Sequence, residues 1–335
     1  MSKSRILVTG GAGYIGSHMV RLLRQANHQV VVFDNLYRGH ADAVGDATLV
    51  IGDLRNPADL QRCFADHPVD AVMHFAALAY VGESVRDPGH YYQNNVAGSA
   101  NLLQAMQTAG VKRLVFSSTC ATYGEPRTLP IAEDHQQQPT NPYGRTKLMV
   151  ESMLRDFHVA HDLQSVSLRY FNAAGCDPSG TLGERHTPET HLIPLVLQEA
   201  LRVRAGGDPE ATTLQVFGND FPTADGTCVR DYVHVNDLCQ GHSLALERLL
   251  AGRVDGAEAY NLGNGKGFSV LEIISACQAI TGVPIRYRII ERRAGDPSCL
   301  IGSSVHARAV LGWHPAHDSL NEIIGTAWDW FKRHA

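Results

Sequence analysis

The sequence lacks a long apolar run. Its longest, Ala71 to Gly82, is too short to span a bilayer and carries His74. The short run Ile6 to Gly10, behind Met1 to Arg5, does not read as a secretory signal. Paired cysteines are also missing. The seven, at positions 63, 120, 176, 228, 239, 277 and 299, form no C-x-x-C. A scattered odd set fits reduced thiols, so a cytoplasmic location is expected. The 17 histidines form no H-x-x-x-H or H-E-x-x-H, and no metal is expected. A basic surplus is absent too. Lys plus Arg is 29 against 34 for Asp plus Glu, net −5, so neither nucleic acid nor membrane is an expected partner. With 44% apolar and 19% charged residues the chain is an ordinary globular sequence, and 335 residues allow two domains.

What is present is alternation. Short apolar strands are expected at Arg5–Thr9, Gln29–Phe33, Thr48–Ile51, Ala71–Phe75, Arg113–Ser117 and Ser165–Tyr170. Helices intervene, with Ile15, Met19, Leu22, Leu23 and Ala26 on one face of the first. Others are expected over Asn95–Ala109, stopped by Gly110, and over Pro142–His161, capped by Asn141. This is the pattern of an α/β fold, a Rossmann-type doubly wound parallel sheet covered on both faces. After about Phe171 strands thin out, and helices recur at His191–Arg204, Val235–Leu250, Val270–Thr281 and Ser319–Lys332. The expected domains are 1–174, binding a dinucleotide, and 175–335, a smaller α/β substrate unit free to return elements to the first.

Thr9-Gly10-Gly11-Ala12-Gly13-Tyr14-Ile15-Gly16 joins the first strand to the first helix. Gly10 suits a tight turn, Gly13 lets backbone approach a pyrophosphate, and Gly16 allows close packing. The helix start then offers free N–H groups and a positive dipole end to an anion. Asp34, 24 residues beyond Gly10, would accept hydrogen bonds from the adenosine ribose and repel a 2′-phosphate, which favours NAD as cofactor. Arg38 nearby pulls slightly the other way. Asp53 and Leu54 either border an adenine or form a capping turn.

Tyr143 and Lys147 stand four apart on one helical face. The ammonium and a nicotinamide cation would both favour phenolate, so Tyr143 could take a proton from a sugar hydroxyl as hydride leaves the same carbon. Tyr-x-x-x-Lys is common by chance; the glycine loop upstream gives it weight. Ser117 to Gly124 follows the fifth strand, where ligands of α/β sheets lie, and is either a source of a hydroxyl for the reacting sugar oxygen or a polar turn.

These residues resemble the extended short-chain dehydrogenase/reductase family, and within it the UDP-sugar 4-epimerases that interconvert UDP-glucose and UDP-galactose. The matching segments are TGGAGYIGSH at 9–18, HFAALAYVGESV at 74–85, YYQNNVAGS at 91–99, NPYGRTKLMVE at 141–151, LRYFNAAG at 168–175, FGNDFPTADGTCVRDYVHVNDL at 217–238 and RRAGDP at 292–297. The resemblance implies catalysis by Tyr143, Lys147 and Thr119. It implies NAD contacts from Tyr14, Ile15, Asp34, Asn35, Asp53, Leu54, Phe75, Ala76, Ala77, Asn94, Lys147 and Phe171. It also implies UDP-sugar contacts from Asn172, Leu192, Phe217, Arg230 and Arg293, and a homodimer through the helices at 95–109 and 142–161. Arginines suit a diphosphate because the planar fork binds two oxygens; alternatively Arg230 pairs with Asp231. The chain departs from the pattern at Ala79, where some members carry a cofactor-touching lysine, at His191, where some have Asn, and at Leu300, which governs room for an N-acetyl group. A 4,6-dehydratase would carry an acid after Thr119, whereas Cys120 and Ala121 follow here. A non-catalytic NAD binder would not need Thr119, Tyr143 and Lys147 together.

Overall fold

Residues 3–293 and 295–335 are described by a computed structural model. Strands β1 (Arg5–Thr9), β2 (Gln29–Asp34), β3 (Thr48–Ile51), β4 (Ala71–His74), β5 (Arg113–Ser117) and β6 (Gln164–Tyr170) lie close to the expected bounds. Helices α1 (Tyr14–Gln25), α2 (Pro57–Asp66), α3 (Val81–Arg86), α4 (Pro88–Tyr91), α5 (Gly98–Thr108) and α6 (Pro142–His161) alternate with them. The second half adds β7 (Asn172–Ala174), α7 (Leu192–Arg204), β8 (Gln215–Phe217), β9 (Val229–His234), α8 (Val235–Leu250), β10 (Ala257–Leu262), β11 (Gly267–Ser269), α9 (Val270–Thr281), β12 (Arg288–Ile290), β13 (Cys299–Leu300), α10 (Val305–Leu311) and α11 (Leu320–Arg333).

Seven strands form one sheet in the order β10-β6-β5-β4-β1-β2-β3, and each pairing is parallel. The chain order reverses at β1, so the carboxyl ends of β1 and β4 open a crevice between them, where ligands of such sheets bind. β10 comes from the second half and extends this sheet beside β6, while α8 packs against α1 and β6. Trp313, fully buried, belongs to the same core and donates its indole N–H to the Asp237 carbonyl. A second core lies between α7, α9 and α11, with Ile193, Val196, Ile273, Ile324 and Trp328 buried in it. β7, β9, β11 and β13 form a small sheet that joins the two halves.

One expected helix starts differently. The segment Tyr92–Ala97 is a π-helical turn, and the regular helix α5 begins only at Gly98. Asn95 explains the widened turn. Its side chain holds the backbone of Leu78 from both sides, at 2.8 and 2.9 Å, and donates to Thr146 of α6. Such turns recur at functional sites.

Candidate functional site

A cavity of about 780 Å³ runs along the carboxyl ends of the sheet and out toward the second half. The glycine loop forms its floor. Gly10 has φ +71°, and a Cβ there would meet Ala76 N at 2.5 Å. Gly16 is required for a different contact than expected, since its Cβ would strike the Gly10 carbonyl oxygen at 2.1 Å rather than the sheet. Gly13 faces open space apart from Gly10 O at 3.4 Å, which leaves its backbone approachable. The first turn of α1 has no side-chain cap and no acid. Its N–H groups therefore remain for an anion.

Asp34 ends β2 at the cavity wall. Its carboxylate accepts from Ala12 N at 3.0 Å and Leu36 N at 2.8 Å, and burial raises its pKa. Arg38 is engaged elsewhere: it pairs with Glu83 at 3.1 Å, donates to the Thr187 carbonyl, and lies over the rings of Tyr37 and Tyr80. A 2′-phosphate would have to compete with those partners. Asp53 lines the cavity and is held by Arg55 at 2.6 Å and Asn35 at 3.1 Å. These pairs push its carboxyl well below the usual range. The uncapped helix, the open Gly13 and the Asp34 carboxylate fit a dinucleotide.

Tyr143 and Lys147 are both buried, which excludes a solvated surface pair. Asn141 caps α6 by accepting from Gly144 N at 2.9 Å, Pro142 fills the first position, and Tyr143 is thereby set in the first turn. Lys147 Nζ donates to the Ser117 carbonyl at 2.8 Å, sits 4.8 Å above the Phe116 ring, and lies 6.0 Å from the Tyr143 ring centre. Burial pushes the Tyr143 phenol well up, with the Thr119 hydroxyl pulling partly back. Burial also lowers Lys147 to about 7, against the pull of Glu151 one turn on. Thr119 caps the short 3-10 turn Cys120–Thr122, accepting from Ala121 N at 3.2 Å.

The remaining expected residues face the same cavity. Tyr14, Ile15, Asn35, Leu54, Phe75, Ala76, Ala77, Asn94, Phe171, Asn172, Leu192, Phe217, Arg230 and Arg293 all line it. Arg230 does not pair with Asp231. It donates to the Val229 carbonyl at 2.9 Å, while Asp231 accepts backbone N–H groups of Asn264, Gly265 and Gly302. Burial nevertheless raises Asp231 to about 7. Arg293 stacks on Phe217 at 4.4 Å. Leu300 is fixed in a buried cluster with Cys120, Tyr123, Ile131 and Phe171.

Two features escaped the sequence reading. Tyr170 lines the cavity and shares a 2.9 Å hydrogen bond with Ser117. At the rim, Glu184, His186, Glu189 and His191 converge. Only a search for mixed Glu and His spacing would have found that group. His191 lines the cavity, but its Nδ1 is turned to Glu184 and Glu189 at 2.8 and 3.0 Å.

Comparison with known proteins agrees with this geometry. The family model described as NAD dependent epimerase/dehydratase family matches residues 6–263. The UDP-glucose 4-epimerase of Halalkalibacterium halodurans is 52% identical over 330 residues, covering 98% of this chain and 96% of the relative. The crystal structure of UDP-glucose 4-epimerase from Brucella ovis in complex with NAD has a TM-score of 0.91 at 47% identity, covering 98% of each chain. That of the Bifidobacterium longum enzyme in complex with NAD+ and UDP has a TM-score of 0.92 at 38% identity, again over 98% of each chain. With the match spanning both the glycine loop and the Tyr143–Lys147 turn, the chain belongs to the NAD dependent epimerase/dehydratase family.

Proposed function

We propose that this protein interconverts UDP-glucose and UDP-galactose by inverting C4 of the hexose, through a 4-keto sugar and with tightly bound NAD. The observation that carries the reading is one continuous cavity joining the glycine loop, the buried Thr119, Tyr143 and Lys147, and two arginines.

Bound NAD supplies the acceptor and donor for the C4 hydride. The start of α1 and Asp34 hold the dinucleotide. Tyr143 takes the proton of the 4-hydroxyl and later returns it, and Thr119 orients the same oxygen. Lys147 offers positive charge beside the phenol and donors to the nicotinamide ribose. Arg230 and Arg293 receive the diphosphate, with Asn172, Leu192 and Phe217 around the nucleotide sugar. Affinity placed at the UDP end leaves the 4-keto sugar free to turn and accept hydride on its other face. No acid follows Thr119, so elimination of a C6 hydroxyl has no proton donor there.

The test incubates purified protein with UDP-galactose without added NAD and resolves the products by chromatography. UDP-glucose is the expected product. Absence of conversion even after NAD+ is supplied overturns the reading. A parallel lane with UDP-N-acetylgalactosamine measures the room that Leu300 leaves.

A homodimer through α5 and α6 and a cytoplasmic location belong to the same proposal. The exposed Met149 and Val159 on α6 support the first, and seven free cysteines support the second. Light scattering on the eluting protein decides between one chain and two.

A further inference from the structure

The segment before α7 gathers Glu184, His186, Glu189 and His191, and their ligand atoms all lie within 4.8 Å of one another. Both imidazoles present the same atom, Nδ1, to the same two carboxylates. His191 Nδ1 is 2.8 Å from Glu184 and 3.0 Å from Glu189, and His186 Nδ1 is 3.1 and 3.5 Å from them. Tetrahedral zinc with nitrogen and oxygen ligands at its usual bond lengths spaces those ligands about 3.4 Å apart.

Charge points the same way. The two glutamate side chains are only 4% and 5% exposed, and among the described residues neither meets Lys or Arg. The other groups facing the quartet are the backbone N–H groups of Thr190 and His191, which donate to Glu189 Oε1 at 2.7 and 2.9 Å, and the rings of Tyr14 and Tyr80, with Arg38 lying beyond Tyr80. Two buried carboxylates need two positive charges. Two protonated imidazoles provide them, and so does one divalent cation on two neutral imidazoles. The separating observation is His186: its Nδ1 is buried yet makes no aligned hydrogen bond, although two carboxylates lie within 3.5 Å. An Nδ1 set between two carboxylates without an aligned hydrogen bond to either is the arrangement of a lone pair facing a shared centre.

We propose that Glu184, His186, Glu189 and His191 form a four-coordinate site for a divalent cation of zinc type at the rim of the cofactor cleft. Mixed imidazole and carboxylate ligands favour zinc over magnesium or calcium, which prefer all-oxygen shells. The ligands fall in one segment of eight residues, so the cation would tie that segment together rather than join distant parts. The segment touches Tyr14 at the start of α1 and leads directly into Leu192 of α7. The metal's role is therefore to hold that part of the cavity wall, outside the reacting atoms.

The experiment uses tag-free holoenzyme dialysed against a chelator and titrated with zinc by calorimetry. One equivalent per chain is expected, with a raised thermal midpoint. His186→Gln and Glu189→Gln should each weaken binding by at least the ~100-fold that loss of an outer-shell partner costs. His317→Gln, which removes the His317–Glu322 pair on another face, should leave it unchanged. X-ray absorption on the zinc-loaded wild-type protein needs no variant. Four nitrogen or oxygen ligands including imidazole are expected. Sulfur in the shell, no uptake of zinc, or equal uptake by the variants overturns the proposal.

Discussion

Tyr143 carries a phenol in a place that resists its ionisation. Burial raises it, and the nearest ammonium donates to a backbone carbonyl. In the proposed reaction its proton-accepting role depends on positive charge arriving with the cofactor, so the phenol stays neutral until the site is complete. Tyr143→Phe is expected to lower kcat by about 10²- to 10⁴-fold, the usual worth of a positioned acid–base group, while NAD stays bound. Rates on UDP-galactose together with absorbance of the released cofactor check this. Unchanged kcat would remove Tyr143 from the chemistry. At this scale the sequence was informative because chemistry fixes residue types. Gly10, Asp34, Tyr143 and Lys147 could each be named from what a dinucleotide and a sugar hydroxyl require, and Thr119 from the family resemblance. Tyr170 could not, because a tyrosine ending a strand carries no such signature.

Among the elements, α6 does the most positioning. Its cap sets Tyr143, and one turn beyond Lys147 it carries Glu151. That carboxylate is 2% exposed at the side chain and receives the Arg169 guanidinium of β6 at 2.7 Å, while Ser118 donates to it at 2.6 Å. Arg169 also donates to the Tyr123 hydroxyl at 2.9 Å. The pair thus locks the helix to β6, and Ser118 ties it to the segment between Ser117 and Thr119. Glu151→Gln leaves a buried guanidinium short of charge and is expected to cost about 3–5 kcal/mol, read as a lower urea midpoint. Asn141→Ala removes only a cap and should cost about 1 kcal/mol, with a larger proportional loss in kcat than in stability, since the first turn holds Tyr143. A kcat unchanged in Asn141→Ala would show that Pro142 alone fixes the turn. The bounds of α6 could be read from Asn141 and Pro142. The π-helical turn at Tyr92–Ala97 could not, because it is imposed by Asn95 reaching Leu78 and Thr146, which are distant in sequence.

Across the whole molecule the main sheet is completed by a strand from the second half, and this closure buries groups that ordinary surfaces leave wet. β10 is an unremarkable apolar segment in sequence; only its register against β6 makes it part of the first sheet. Closure also buries histidines. Burial lowers His18 and His242 to about 4 and His74 and His234 to about 3. His74 is neutral between Thr9 at 2.7 Å and Ser99 at 2.9 Å. Each of the four has a folded pKa below its unfolded value near 6.5. The unfolded chain therefore binds more protons, and their contribution is complete above pH 6.5 and lost as pH falls toward 3 to 4. Every proton taken up on unfolding costs about 1.4 kcal/mol per pH unit. Three carboxyls oppose this, since Asp34, Asp231 and Asp237 are raised by burial and bind protons in the fold. Four against at most three leaves a net uptake between pH 6 and 5. The urea midpoint is therefore expected to fall on acidification across that window. A midpoint that stays level or rises from pH 6 to 5 would mean that the buried histidines are already protonated in the fold.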